Sequence, residues 1–242
     1  MDTLWQEITE NVIFVIEFLV LVALLFAVSY AVQKWENKRN NVSRRILNTR
    51  MVAVVGMFSA LAAILMIFEF PLPFAPSFYK LDFSEIPILV AAFAFGPVAG
   101  VMTEFCKILL NLLMDSTTTA FVGELANFMV GCSFVLPASI VYQFKKSRGH
   151  ALLGCVTGTV LLTVFGTLFN AVYLLPKFAQ LYGMPLEALV EMGTAINPAI
   201  DSVGTFVFFA VAPLNLLKGS VASIVTLLIY KKLSPILKAG RE

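Results

Sequence analysis

Ionisable and amide side chains set inside long apolar stretches carry the chemistry of this chain, because each costs several kcal/mol in hydrocarbon unless it meets a partner or faces a cavity. Glu104 and Lys107 stand three apart, with Asn111 one turn further along the same stripe. On a helix that spacing lets the two charges pair with each other, and it makes the stripe a polar seam facing either the bundle interior or a second subunit. Glu124 and Asn127 repeat the spacing, as do Asn215 and Lys218 after Pro213, while Asn170 stands singly. Asparagine offers donors and acceptors, and a lysine ammonium offers three donors. That set suits a neutral polyol or an amide-bearing ring, with Lys218 compensated by Glu124, Asn170, Asn215 or ligand oxygens. The same groups serve equally as interhelical glue. Catalytic and metal-binding sets are not expected. The single histidine, His150, lies in a basic loop with Lys145, Lys146 and Arg148, so no embedded Ser-His or metal-His constellation can form. Cys106, Cys132 and Cys155 fall in separate apolar runs without C-x-x-C spacing. No G-x-x-x-x-G-K-[ST] phosphate loop occurs, so ATP-driven work would have to come from a partner.

The elements that must hold these residues are membrane helices. The chain is 59% hydrophobic and 13% charged, where a soluble domain carries roughly 25% charged residues. Phe18 to Val28 and Leu152 to Val164 are apolar on every face, which excludes the alternating pattern of barrel strands. The runs predict helices near residues 11–33, 51–69, 84–95, 98–114, 120–143, 151–175 and 203–230. The third and fourth meet at Gly96-Pro97, and their combined length favours a tight hairpin over one broken helix. The expected fold is an all-α membrane protein, with an extra transmembrane helix and basic linker in 1–50 followed by a six-helix domain in 51–242. Asp2, Glu7 and Glu10 precede the first run and Lys34, Lys38 and Arg39 follow it, the reverse of a cleaved signal, so it is expected to stay as an anchor.

Most Lys and Arg fall in three segments: Lys34 to Arg50, Lys145 to Arg148, and the tail with Lys231, Lys232, Lys238 and Arg241. Asp82, Glu85, Asp115, Glu187 and Glu191 mark the intervening loops. Positive loops stay cytoplasmic, so the N-terminus is expected outside and the C-terminus inside a multi-pass plasma-membrane protein. The outer side then holds the Asp115 to Thr119 loop, the segment 176–200, and the loop 70–83. That last loop, with Pro71, Pro73, Pro76, Phe74, Phe78 and Tyr79, reads as a stiff functional strap or as an interfacial aromatic belt.

Five motifs in order carry a resemblance: Lys80-Leu81-Asp82-Phe83-Ser84-Glu85-Ile86-Pro87, Phe95-Gly96-Pro97-Val98-Ala99-Gly100, Gly123-Glu124-Leu125-Ala126-Asn127-Phe128, Phe134-Val135-Leu136-Pro137-Ala138 and Ala212-Pro213-Leu214-Asn215-Leu216-Leu217-Lys218-Gly219. From Met51 to Lys232 the chain resembles the riboflavin-specific substrate-binding subunits, or S components, of energy-coupling factor vitamin transporters. The resemblance implies a six-helix bundle that binds riboflavin from outside under the 70–83 loop. It also implies partners: a transmembrane coupling subunit and two ATPases whose hydrolysis topples the bundle in the lipid bilayer. The implied binding residues are Phe78, Tyr79, Lys80, Glu124, Asn127, Asn170, Asn215 and Lys218. Gly56, Ala60 and Ala63 are the matching docking positions on the helix 51–69, where the Gly56/Ala60 and Ser59/Ala63 pairs allow close helix approach. Riboflavin is then a transported ligand, with no resident cofactor, no metal and no nucleic-acid partner. The helix at 11–33 and Glu104 depart from the pattern. Other readings are an S component for another vitamin, or a self-contained proton-coupled transporter using Glu104, Glu124 or Lys218.

Overall fold

The computed structural model describes residues 12–41, 45–115, 117 and 119–238. Asp2, Glu7, Glu10, Arg44, Ser116, Thr118 and Arg241 lie outside the described residues. In chain order come α1 (Val12–Arg39), α2 (Thr49–Ile67), a hairpin of β1 (Phe70–Pro71) and β2 (Lys80–Leu81), α3 (Glu85–Phe95), α4 (Pro97–Asp115) and α5 (Val122–Phe144). They are followed by α6 (Arg148–Leu181), α7 (Leu186–Thr194) and α8 (Val203–Leu237). Among the described residues, α1, α2, α4, α5, α6 and α8 are long and apolar enough to cross a membrane. At 11 residues, α3 rises only about 16 Å against a hydrocarbon core of about 30 Å.

The short helix is buried on nearly every face, with Ile88, Leu89, Ala91, Ala92 and Phe93 all at 0% exposure. Its C-terminal carbonyls therefore need protein partners, because an unsatisfied backbone group in an apolar interior costs several kcal/mol. Gln143 on α5 donates to the carbonyls of Ala92 and Phe93 at 3.4 and 3.1 Å. Gln33 on α1 donates to Phe95 O at 2.8 Å and accepts from Val98 N–H at 2.9 Å. The corner itself turns at Gly96, whose φ of 102° is closed to most side chains and whose added Cβ would meet Gln33 at 2.8 Å. Pro97 then opens α4 where its missing N–H costs nothing.

The added helix α1 is thus packed into the bundle. Its buried polar residues, Ser29, Gln33 and Glu36, follow helical spacing toward the protein, while Ile16, Val20 and Leu24 remain exposed on its outer flank. Phe18 and Phe26 make edge contacts with Phe128 and Phe105, at 5.9 Å between centroids in both cases. At one end Arg39 reaches Phe144 O at 3.5 Å and Arg50 reaches Ile236 O at 2.7 Å, so the three basic segments meet there.

The cavity-lining residues described below begin at Met66, which motivates one prediction. Deleting residues 1–40 should leave ligand affinity within about threefold while lowering thermal stability, since two hydrogen bonds worth about 1 kcal/mol each are lost at the α3–α4 corner. Paired thermal unfolding and ligand titration of the truncated chain check both halves.

Candidate functional site

Two local distortions shape the other end of the bundle. In α6 the turn Asn170–Leu174 widens to a π turn directly before Leu175-Pro176, and in α8 the turn Val207–Val211 does so directly before Ala212-Pro213. Proline has no N–H to return to the preceding turn, and a single wide turn absorbs that loss without ending the helix. Asn170, Leu174 and Val211 from these turns face a cavity of about 440 Å³.

Five further segments complete its wall: Met66 and Ile67 at the end of α2, Phe78 to Asp82 of the strap, Asn111 and Asp115 on α4, Thr119 to Asn127 around the start of α5, and Asn215 and Lys218 on α8. All eight binding residues expected from the sequence line this one space. Asp82, Asn111, Asp115, Thr119, Phe178 and Tyr182 line it as well. Among these, Asn111 extends the Glu104–Lys107 seam, which therefore faces the interior. Phe178 and Tyr182 follow from α6 running past the point where its apolar run stops.

The strap is fastened at three points. Phe70 pairs with Leu81 and Pro71 with Lys80 across the hairpin, and Lys80 ion-pairs with Glu69 at the rim. Tyr79 O–H donates to Asn170 Oδ1 at 2.6 Å, with its ring 4.7 Å from Phe78 and 6.1 Å from Phe206. Burial pushes the Tyr79 phenol above its ordinary pKa, so it remains a neutral donor. Asn170 Nδ2 in turn donates to Gly166 O at 2.8 Å, so this asparagine is committed to holding the strap.

The third fastening is electrostatic. Lys218 Nζ lies 2.9 Å from Asp82 Oδ2 and 3.9 Å from Glu85 Oε1, so its compensating charges come from the strap and the start of α3. Glu124, Asn170 and Asn215, the compensating partners expected from the sequence, do not fill that role. Ser84 N–H donates to Asp82 Oδ1 at 2.7 Å. Burial alone would raise the Asp82 carboxyl, but Lys218 and Lys107 together with Ser84 hold it down at about 2. Because that value is depressed, the pair's stabilisation is complete above the ordinary aspartate range and fades only as pH falls toward 2.

Beneath the cavity Lys107 continues the network, 2.6 Å from Glu104 Oε1, 3.5 Å from Glu85 Oε1 and 3.3 Å from Ser84 Oγ, with Lys107 and Glu104 fully buried. Gly131 makes room for it, since a Cβ there would lie 2.5 Å from Glu104 Oε1. Asn215 Nδ2 is buried with no partner among the described residues, leaving one amide donor available to a ligand. On α2, Gly56 and Ala60 are exposed but Ala63 is 1% exposed and turned into the bundle.

Residues 50–230 match the family model described as "ECF transporter, substrate-specific component". The chain belongs to this family of S components. Its relatives include a "Riboflavin transporter RibU" of Staphylococcus aureus (strain TCH60), 37% identical over 81% of this chain and 97% of that one. A "Riboflavin transporter FmnP" of Bacillus subtilis (strain 168) is 30% identical over 81% and 98%. A solved structure titled "Structure and mechanism of the S component of a bacterial ECF transporter" superposes with a TM-score of 0.60 at 36% identity, covering 78% of this chain and 97% of that one. This S component is a multi-pass membrane protein, and the matched stretch runs from the start of α2 into α8 and takes in the entire cavity. Helix α1 falls outside it.

Proposed function

We propose that this S component binds riboflavin in the strapped cavity and serves as the substrate-specific subunit of an ECF-type, ATP-driven uptake system. The observation that carries the reading is the convergence of polar groups from five separate segments, the strap, α4, the start of α5, α6 and α8, on one space large enough for a tricyclic vitamin. Riboflavin is neutral, with an amide-rich ring edge, flat apolar faces and a polyol chain. Asparagines and hydroxyls suit its edges and chain, and Phe78, Tyr79, Phe178 and Tyr182 suit its faces. The charged residues of the wall are largely spent on each other, as Lys218–Asp82 and Lys80–Glu69.

The basic segments gather at the end away from the cavity, so the strap faces outward and the C-terminus lies in the cytoplasm. Residues 1–50 act as an accessory helix and linker to the binding domain 51–242. Gly56 and Ala60 on the exposed flank of α2 meet the transmembrane coupling subunit, and two ATPases supply the energy that this chain has no phosphate loop to extract. Displacement of bound riboflavin by unlabelled vitamins tests the specificity. Riboflavin itself should compete fully, and thiamine, biotin and folate should not at a hundredfold excess over riboflavin; displacement by one of those three would assign the site to that vitamin instead.

A further inference from the structure

The threonine-rich turn before α5 is strained. Ala120 and Phe121 have φ of 46° and 67°, a left-handed conformation that residues bearing a Cβ seldom adopt, and here it occurs twice in succession. The Phe121 side chain, 4% exposed, pins the turn into the bundle. What the turn achieves is the placement of two hydroxyls. Thr117 Oγ1 accepts from Phe121 N–H at 3.0 Å and from Thr119 N–H at 3.3 Å. Thr119 Oγ1 accepts from Gly123 N–H at 2.9 Å, which leaves its own hydrogen to point at Glu124 Oε2, 3.3 Å away.

Glu124 is 7% exposed, lines the cavity, and has no Lys or Arg within salt-bridge distance among the described residues. Its carboxylate is therefore met by the Thr119 hydroxyl and not by a cation. A carboxylate only accepts, so the ligand group that meets it must donate. On α4 and α5, Asn111, Asp115 and Asn127 also line the cavity, whereas the aromatic side chains come from the strap and the end of α6.

We infer that Thr119 is a positioning residue: its hydroxyl, set by the left-handed turn, orients the Glu124 carboxylate to accept a hydrogen bond from a hydroxyl of the ligand's polyol chain. This rests on the riboflavin reading. Thr119→Val removes the hydroxyl at nearly constant volume, Thr119→Ser restores it, and lumiflavin offers the same ring system without the polyol. Affinity for riboflavin should fall about tenfold in Thr119→Val, the expected size for one charge-assisted hydrogen bond. It should return in Thr119→Ser, while lumiflavin binds both variants as it binds the unmodified chain. Thr119→Val added to Glu124→Gln should cost nothing beyond Glu124→Gln alone. If Thr119→Val does not fold, Thr119→Ala removes the same hydroxyl, leaves room for water at Gly123 N–H, and must still weaken riboflavin binding. Unchanged riboflavin affinity in a folded variant overturns the inference, as do additive losses or an equal loss for lumiflavin. An unmodified chain that binds no riboflavin overturns the ligand reading first and this inference with it.

Discussion

Replacing Lys218 by methionine is expected to damage both stability and binding, and the two effects have separable sizes. The ammonium is the buried counter-ion of Asp82 at 2.9 Å and stands 3.9 Å from Glu85. Taking it away strands the buried Asp82 carboxylate, while Glu85 keeps Lys107 at 3.5 Å, and breaking a buried pair from one side costs about 3–5 kcal/mol. The strap would lose one of its three fastenings, so affinity should also drop, by about ten- to a hundredfold. Asp82→Asn in the same chain removes the stranded charge and should recover much of the stability without recovering affinity. Ligand-free thermal unfolding of the two single variants and the double variant, each paired with a riboflavin titration, reads both effects. Wild-type midpoints in Lys218→Met would mean the ammonium snorkels to water and the fastening does not exist.

The second large effect is expected at Lys107. Its ammonium is fully buried between Glu104 and Glu85, so Lys107→Met should destabilise the protein by about 3–5 kcal/mol. The double variant Lys107→Met, Glu104→Leu replaces the pair with side chains of similar volume, leaves Glu85 to Lys218, and should return to near the original stability. Because neither Lys107 nor Glu104 lines the cavity, riboflavin affinity in the double variant should stay within a few-fold. A double variant as unstable as the single would show that Lys107 acts through packing and not through its charge.

Much of this site was readable from the chain because the cost of polar groups in lipid marks them one by one. Glu124, Asn127, Asn170, Asn215 and Lys218 stand out in apolar runs for that reason, and all of them reach the cavity. Helical spacing also assigned the Glu104, Lys107 and Asn111 stripe to one face. What spacing could not supply is the partner from a distant segment. Asp82 lies 136 positions from Lys218, and Tyr79 lies 91 from Asn170. Asp82 sits in a loop where a carboxylate is unremarkable, so it carried no mark of its own.

The helices followed the apolar runs closely, but α6 runs on past the expected end at residue 175, since Pro176 is absorbed by a π turn and does not stop the helix. The segment 176–200 hid the end of α6 and all of α7. Pro185 before Leu186 and Glu187 in the first turn of α7 were the available signals there. Gly56 and Ala63 share a helix face but not an environment, because burial depends on what packs at each height along the helix, which spacing does not carry.

The most direct measurement is a titration of the purified full chain with riboflavin, followed by flavin fluorescence and by calorimetry. Saturable quenching at one flavin per chain, with thiamine, biotin and folate giving none of the calorimetric signal, is the expected result, because the ring would enter a protein-lined aromatic pocket. A chain that keeps its thermal transition and yet shows neither quenching nor heat at saturating riboflavin would contradict the assignment.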